Sequence, residues 1–247
     1  MTKLSKLLTL SAASSLMTLA TAAPSQAVSL NYVLNPFTGS DAQVNITLTE
    51  SGDDIDVTVD VDTSVAMADL RGVFFNVSNE AILPFLQIVD TVALEGSGRF
   101  YGDDYIKTQT IGANSVTGGI GGANFSGEPD SNPCADGCDG AIEVGSNGIG
   151  KDDYQSIAWK FTRSDGAALT LEDFENAAWG ARLMSVGTDG NREGSSKLGG
   201  TVVAQIVEEF EPDPAQTPEP GSLLALGLIS GGVAFSTKRR RQAAPAS

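Results

Sequence analysis

The chain has 247 residues, a formal net charge of −16 and no histidine. A strongly acidic surface repels nucleic acid and anionic lipid, because binding either needs Lys and Arg side chains. The absence of histidine removes the usual general base at neutral pH, together with Ser-His-Asp sites, Cys-His sites and zinc sites that have a histidine ligand. Chemistry based on paired carboxylates, tyrosines or oxygen-bound metals stays open.

Residues 1–27 predict a secretory signal peptide. Two lysines form its basic start, and residues 7–20 supply an apolar run that is shorter than the ~20 residues a membrane-spanning helix needs. Small side chains near its end match the requirement of signal peptidase and predict cleavage after Ala27, with cleavage after Ala23 as the alternative. The mature protein is therefore expected to fold outside the cytoplasm.

Residues 28–207 predict one all-β domain, an antiparallel β-sandwich or jelly roll. The clearest strand spans residues 54–62, where β-branched residues alternate with Asp and Thr, a pattern typical of a strand with one buried face. Further strands are predicted over residues 44–50, 72–77, 85–89, 155–161, 179–186 and 201–207, and one helical turn over 171–176. The predicted interior includes Ile55, Val57, Val59, Val61, Phe74, Ile157, Trp159 and Trp179.

The acids of the strand predicted over residues 54–62 are expected on its solvent-exposed face. They are Asp54, Asp56, Asp60 and Asp62. Residues four apart in a strand have Cα atoms ~13 Å apart, which is too far to share an ion. We therefore expect this face to be solvated and to protect the strand from edge pairing.

Residues 112–150 are rich in Gly, Asn, Ser and Asp, and predict long loops with at most a short strand at 141–144. Both cysteines of the chain, Cys134 and Cys138, lie in this stretch. In an exported protein they predict a structural disulfide, which stabilises little by entropy because its loop is short. A redox or metal-thiolate site is the alternative, although CxxxC lacks the CxxC redox spacing and two thiolates make half a zinc site.

Oxygen-bearing side chains in the same stretch suggest a calcium site, and they are Asp130, Asn132, Asp136 and Asp139. Their spacing departs from the EF-hand pattern, because Cys134 occupies the third ligand position and no acid closes the loop. Solvated acids are the preferred interpretation and calcium the alternative, and no other cofactor is expected.

Aromatic side chains can stack on sugar rings when they are exposed. The candidates are Tyr101, Tyr105, Phe125, Tyr154, Trp159 and Trp179. The two tryptophans lie among apolar residues in predicted strands, which favours core packing. Adjacent acids at 103–104, 152–153 and 172–173 are candidates for a carboxylate pair, which a glycosidase needs across a cleft.

Residues 208–217 form an acidic, proline-rich linker, which predicts an extended and stiff segment. Residues 218–241 follow in three parts: Pro218, Glu219 and Pro220, then an apolar run over 223–235, then Lys238, Arg239, Arg240 and Arg241. The apolar run makes a helix of only about 20 Å, but flanking residues and snorkelling basic side chains help it to span a ~30 Å bilayer core. The basic cluster is expected to stay cytoplasmic.

This tail resembles the PEP-CTERM sorting signal of Gram-negative bacteria, which has a Pro-Glu-Pro motif, a Gly- and Leu-rich transmembrane helix and an Arg-rich end. The resemblance covers residues 218–241. It implies that the chain crosses the inner membrane, is recognised there by the membrane protease exosortase, loses its helix, and associates with exopolysaccharide or the outer surface. An ordinary C-terminal anchor with a proline-rich stalk is the alternative.

The sequence therefore predicts an exported, non-catalytic structural protein of the cell surface or extracellular matrix, with no nucleic-acid partner. A secreted carbohydrate- or calcium-binding adhesion module is the first alternative, which an exposed aromatic platform or a calcium site would favour. A secreted hydrolase that uses carboxylates is the second, which a cleft with two facing acids would favour.

Overall fold

The computed structural model describes residues 28–95, 100–101, 105–127, 132–188 and 190–201. The predicted signal peptide, linker and sorting tail lie outside these residues. Thirteen strands are described, with one 3₁₀ turn at Glu80–Ile82 and another at Leu171–Asp173. The strands are β1 (Ser29–Gly39), β2 (Val44–Ser51), β3 (Asp54–Val61), β4 (Met67–Phe75), β5 (Leu86–Glu95), β6 (Phe100–Tyr101), β7 (Ile106–Val116), β8 (Gly119–Ile120), β9 (Ala123–Asn124), β10 (Cys138–Val144), β11 (Tyr154–Arg163), β12 (Trp179–Thr188) and β13 (Asn191–Gly200).

Eleven of these strands form one antiparallel sheet in the order β6-β5-β11-β3-β2-β1-β13-β12-β4-β10-β7, and β8 and β9 form a separate hairpin. The predicted all-β, antiparallel class is confirmed. The strand β1 joins the two halves of the sheet, because its residues 29–34 pair with β2 whereas residues 35–39 pair with β13. The sheet is nearly closed, since β5 and β7 approach each other from its two ends.

The core lies between the two halves of this sheet. All eight residues predicted for the interior are buried. The ring of Phe75 from β4 meets that of Phe161 from β11 at a centroid distance of 5.1 Å, and the indoles of Trp159 and Trp179 are 6.3 Å apart. Each such side chain stabilises the fold by roughly 1.5–3 kcal/mol through burial, so these contacts hold the halves together.

The predicted short strand at 141–144 lies within β10, but the prediction of loops over the rest of residues 112–150 is wrong in part. The strand β7 continues to Val116, β8 and β9 form a hairpin, and β10 begins at Cys138 and lies inside the sheet between β4 and β7. These strands are not evident in the sequence, because its polar and glycine-rich composition lacks the apolar alternation that is typical of strands. Their apolar residues form a second cluster with Phe74, and the cluster comprises Phe74, Val116, Ala123, Phe125, Cys134, Cys138 and Ala141.

This second cluster explains why β4 and β10 are buried along nearly their whole lengths. The segment after β7 covers the outer face of these strands, and its Phe125 ring stacks on Phe74 at a centroid distance of 4.2 Å. The ring also lies directly on Gly180 of β12, where a Cβ atom would come within 2.2 Å of it. Glycine is therefore required at that position for the segment to seat.

The strands β1 and β13 were not predicted over their observed ranges, because β13 reads NREGSSKLGG and has almost no apolar residues. The strand forms because it lies between β1 and β12 and pairs with both. Its Gly199 lies under Pro133, which would be 2.7 Å from a Cβ atom there. The predicted strand over 201–207 lies outside the described residues apart from Thr201.

The predicted helical turn over 171–176 corresponds to the 3₁₀ turn at Leu171–Asp173. The backbone N–H of Thr170 donates a 3.0 Å hydrogen bond to the Asp173 carboxylate, which caps the turn. Among the residues that the structure describes, no helix is long and apolar enough to span a membrane.

Candidate functional site

An open seam lies where the two ends of the sheet approach each other. One side is residues 87–91 of β5 and the other is residues 106–111 of β7. Two adjoining cavities of about 360 and 430 Å³ occupy it. The seam is lined by Gln87, Ile88, Val89, Asp90, Thr91, Ile106, Lys107, Thr108, Gln109, Thr110 and Ile111. Backbone edges of two strands and a row of amides and hydroxyls therefore meet in one concave surface.

Asp90 lies at an irregularity in β5. Its φ of 53° is left-handed, and the pairing of β5 with β11 shifts register between Ala158 and Lys160 at the same point. Such a bulge turns the strand and redirects its side chains. Asp90 is the one carboxylate among the described residues that line the seam, so the seam does not provide the two facing acids of a hydrolase.

A group of charged side chains is buried around Arg71, away from the residues that line the seam. Arg71 on β4 is only 1% exposed, and its guanidinium lies 3.7 Å from the Glu143 carboxylate and 3.8 Å from that of Asp152. The same guanidinium donates a hydrogen bond to the backbone carbonyl of Val144. The buried cation stabilises the two carboxylates beside it, and its removal would leave the buried Glu143 carboxylate without an opposite charge.

Asp69 lies two residues before Arg71 and is fully buried. One carboxylate oxygen accepts a 3.2 Å hydrogen bond from the backbone N–H of Tyr154. Burial raises the pKa of Asp69 to about 7, although the charge of Arg71 acts in the opposite direction. Asp69 therefore binds a proton in the folded protein at mildly acidic pH.

Glu143 also holds the β8–β9 hairpin in place. Its carboxylate accepts a 2.6 Å hydrogen bond from the backbone N–H of Gly122, at the tip of that hairpin. This contact connects the buried charges to the segment that covers β4 and β10. Arg71 was not singled out in the sequence, although an arginine within the apolar run LRGVFF was a signal that could have found it.

Cys134 and Cys138 form a disulfide, as their spacing and number predict, with Cα atoms 4.9 Å apart. Both are buried in the second cluster, which makes the bond part of a packed surface. A structural disulfide fits an oxidising compartment outside the cytoplasm, because cytosolic thiols are kept reduced.

Two of the four calcium candidates serve as hydrogen-bonding partners within the fold. Asn132 is buried, accepts from the N–H of Cys134 and donates to the carbonyl of Phe125. Asp139 is also buried, and accepts from the backbone N–H groups of Val77 and Asn114.

Asp136 is exposed, and Asp130 lies outside the described residues. Within the part of the chain that the structure describes, no three acidic or cysteine side chains are grouped as a metal site requires.

The alternation predicted for residues 54–62 is confirmed in β3, where every second residue is buried. The ammonium group of Lys160 on the neighbouring β11 donates a 2.7 Å hydrogen bond to the Asp56 carboxylate and lies 4.0 Å from that of Asp54. Asp62 accepts hydrogen bonds from the N–H and hydroxyl of Ser64, and these bonds lower its pKa. These acids therefore act in surface pairing and turn capping.

The aromatic candidates do not form an exposed platform among the described residues. The side chains of five of them are buried, and these are Tyr105, Phe125, Tyr154, Trp159 and Trp179. The side chain of Tyr101 is outside the described part of the structure. Core packing is thus confirmed for the two tryptophans, and the five buried candidates are not available for sugar stacking.

Comparison with models of protein families, with curated proteins and with solved structures found no match to this chain.

Proposed function

We propose that the protein is an exported, exosortase-processed structural protein of the cell surface or exopolysaccharide matrix, without a catalytic role. The observation that carries the proposal is the order of three parts in residues 218–241: a Pro-Glu-Pro motif, a short apolar run and a basic end. The signal-like residues 1–27 give the same topology, in which the domain faces outward. In this proposal the inner membrane and exosortase are transient partners.

Features of the domain support an extracellular location. The disulfide between Cys134 and Cys138 suits an oxidising compartment. The charge of −16 keeps copies apart and soluble at high density, which suits a protein that is dispersed in a matrix.

We further propose that the domain is a two-layer sandwich, with β1 as the strand shared by both layers. The support is the change of partner within β1 between Leu34 and Asn35, which is followed by an irregularity between Pro36 and Thr38. Strands that switch sheets through a bulge or bend form the corners of such sandwiches. The buried contacts between β4 and β11 supply the interface between the layers.

The physical argument for processing concerns Glu219. Pro218 and Pro220 lack amide donors and disfavour helix, which predicts that Glu219 is extended at the outer membrane interface, where a protease could reach it. A plain anchor needs only apolar length and terminal charge. It has no use for this motif.

The experiment replaces Pro218, Glu219 and Pro220 together by alanine in the native host. A matched control replaces Glu211, Pro212 and Pro214 by alanine, which removes the same residue types from the linker and leaves the motif intact. We expect the motif variant to stay full-length in the membrane fraction while the control is processed and released. Release of the motif variant at the original rate would show that the tail is an ordinary anchor.

The seam favours one second candidate, a module that binds polysaccharide. Gln87, Gln109 and the threonines beside them present amides and hydroxyls, which are the groups that hydrogen-bond to sugar hydroxyls. The test is a glycan array with and without calcium, using the exported protein, a Gln87→Ala/Gln109→Ala variant and a Gln43→Ala control away from the seam. Binding that the double variant loses and the control retains supports this role, and equal binding by all three refutes it.

A further inference from the structure

Two cations lie side by side on the outer face of β12 and β13. Arg182 of β12 is directly opposite Lys197 of β13 in the antiparallel register. Their neighbours along the two strands, Ala181, Leu183 and Leu198, are buried in the core, so the two cations project from the other face of the sheet. Both side chains are partly exposed, which makes the pair accessible to a molecule in solution.

No described carboxylate pairs with either of these cations. Every ion pair among the described residues is made by another Lys or Arg side chain. Burial lowers the pKa of Lys197, and the charge of Arg182 acts in the same direction. Like charges directly opposite each other on neighbouring strands repel and destabilise a sheet. In a chain with 31 acidic and 15 basic residues, an anion from outside the domain would offset this repulsion.

Hydrogen bonds within the fold hold both charged ends in place. The guanidinium of Arg182 donates to the carbonyl of Ser196 at 3.0 Å and to the sulfur of Met184 at 3.2 Å. The ammonium group of Lys197 donates to the carbonyl of Ser126. A guanidinium and an ammonium group have more N–H donors than these contacts use, and charged donors of this kind form strong hydrogen bonds with carboxylate oxygens. The pair is therefore positioned to bind a carboxylate.

An aromatic ring lies beside the cations. Phe37 of β1 is partly buried, and its ring would be 3.5 Å from a Cβ atom on Gly199, which is two residues from Lys197 and on the same face of β13. The ring also lies against Gly127, the residue after Ser126, whose carbonyl accepts the hydrogen bond from Lys197. A ring beside a cation suits an acidic sugar, because the ring can stack on the sugar while the cation binds its carboxylate.

The segment after β7 borders this group of side chains. Gly180 and Gly199 form the next pair along β12 and β13 on the same face. Phe125 lies on the first glycine and Pro133 on the second, where Cβ atoms would be 2.2 and 2.7 Å away from them. The two cations therefore lie in the row beside the covering segment, where a chain-like ligand can contact both the sheet and the segment.

We propose that Arg182 and Lys197 bind a carboxylate of an acidic polysaccharide, with the ring of Phe37 stacked on a sugar beside it. The site shares no residue with the seam. Acids elsewhere on the domain repel such a chain, but salt screens exposed charges beyond about 8 Å at physiological ionic strength, and direct contacts are screened less. The choice of a polysaccharide rests in part on the proposed matrix function, whereas the anion site rests on the cation pair alone.

The test measures binding of the exported protein to polygalacturonate, in which each sugar carries a carboxylate, with EDTA present so that calcium cannot bridge two acids. Arg182→Gln/Lys197→Gln is expected to bind at least about tenfold more weakly, because the charged donors are lost. The matched control is Lys160→Gln/Arg163→Gln, which removes one Lys and one Arg from β11. It should bind within about twofold of the unaltered protein. Thermal unfolding checks that each variant is folded.

Two changes of ligand and one further variant separate the parts of the site. Methyl-esterified polygalacturonate keeps the sugars and loses the charge, so it should bind at least about tenfold more weakly. Monomeric galacturonate at the same carboxylate concentration should bind more weakly than the polymer. Phe37→Leu keeps an apolar side chain and removes the ring, and is expected to weaken binding of the polymer about threefold or more.

Three results overturn the proposal: equal binding by the double variant and its control, equal binding of the acid and the methyl ester, and equal binding of monomer and polymer. Because Arg182 also bonds within the fold, Lys197→Gln and Lys197→Arg provide a milder comparison. The first should weaken binding and the second retain it, and no difference between them would also contradict the proposal. None of these measurements depends on processing of residues 218–220, so loss of binding and loss of sorting are distinguished.

Discussion

Replacing Arg71 by methionine tests the role of the buried charges. Methionine keeps the apolar stem and removes the guanidinium, which lies 3.7 Å from Glu143 and 3.8 Å from Asp152. At an effective dielectric constant of ~20, each contact corresponds to roughly 4 kcal/mol of attraction before desolvation is counted. Asp152 is partly exposed, so its share is smaller, whereas the Glu143 side chain is only 9% exposed and remains buried with its charge.

We therefore expect Arg71→Met to lower the free energy of unfolding by about 3–5 kcal/mol at pH 7.5, the range for breaking a buried ion pair from one side. Urea unfolding followed by the fluorescence of the two core tryptophans measures it. Adding Glu143→Gln should restore most of the loss, because the amide oxygen can still accept from Gly122 and only the partly exposed Asp152 keeps an unpaired charge.

The matched control is Arg163→Met. This arginine also pairs with a carboxylate, that of Asp165 at 2.6 Å, but at the surface. A surface ion pair contributes little to stability, so the control should lose far less than Arg71→Met. A loss below ~1 kcal/mol in Arg71→Met, or a double variant no more stable than the single one, would refute the role assigned to Arg71.

Three further predictions concern the pH dependence, the disulfide and the covering segment. Burial raises the pKa of Asp69 from 3.8 to about 7. Between these two pH values the folded protein holds a proton that the unfolded protein has released. The free energy of unfolding therefore falls as the pH rises through this window. Asp69→Asn should remove this fall, which amounts to a few kcal/mol between pH 4.5 and 7.5 and is measured by urea unfolding at both pH values. A variant whose stability falls as much as that of the unaltered protein would contradict the prediction. Replacing both cysteines by serine should cost about 2 kcal/mol, and a loss well above this would show that the bond also orders the core. Gly180→Ala should lower the free energy of unfolding by about 1–3 kcal/mol, because the added methyl group collides with Phe125. Gly112→Ala is the control and should change little, because a Cβ atom fits there. Equal melting temperatures for the two variants would argue against the contact.

Strand β3 shows what could be predicted from the sequence. Its strict alternation of apolar and acidic residues has one interpretation, and its buried and wet faces are as expected. Strand β13 shows the opposite case. Its sequence carries no apolar period, and it is a strand because β1 and β12 supply hydrogen-bonding partners on both sides. Pairing of this kind joins residues far apart in the chain, which local patterns do not record.

The candidate site could not be predicted for a related reason. The seam exists because two strands at opposite ends of the sheet order come together, and neither strand has an unusual sequence. The segment after β7 has the composition of a loop because small residues dominate it. Its Phe125 and Pro133 pack directly on Gly180 of β12 and Gly199 of β13, a requirement that becomes visible only when the strands are in place.

The pairing of β1 with β13 has a consequence for the time at which the protein can fold. Asn35 finds its partner Gly199 only after nearly the whole domain has been synthesised. Sheets closed by such distant pairs fold slowly. Until β13 is present, apolar residues of the early strands, such as Tyr32 and Leu34, stay exposed to solvent. In the proposed export, the chain would therefore stay unfolded until transport is nearly complete, which is the state that a narrow translocation channel requires. Its negative charge keeps the waiting chains from associating.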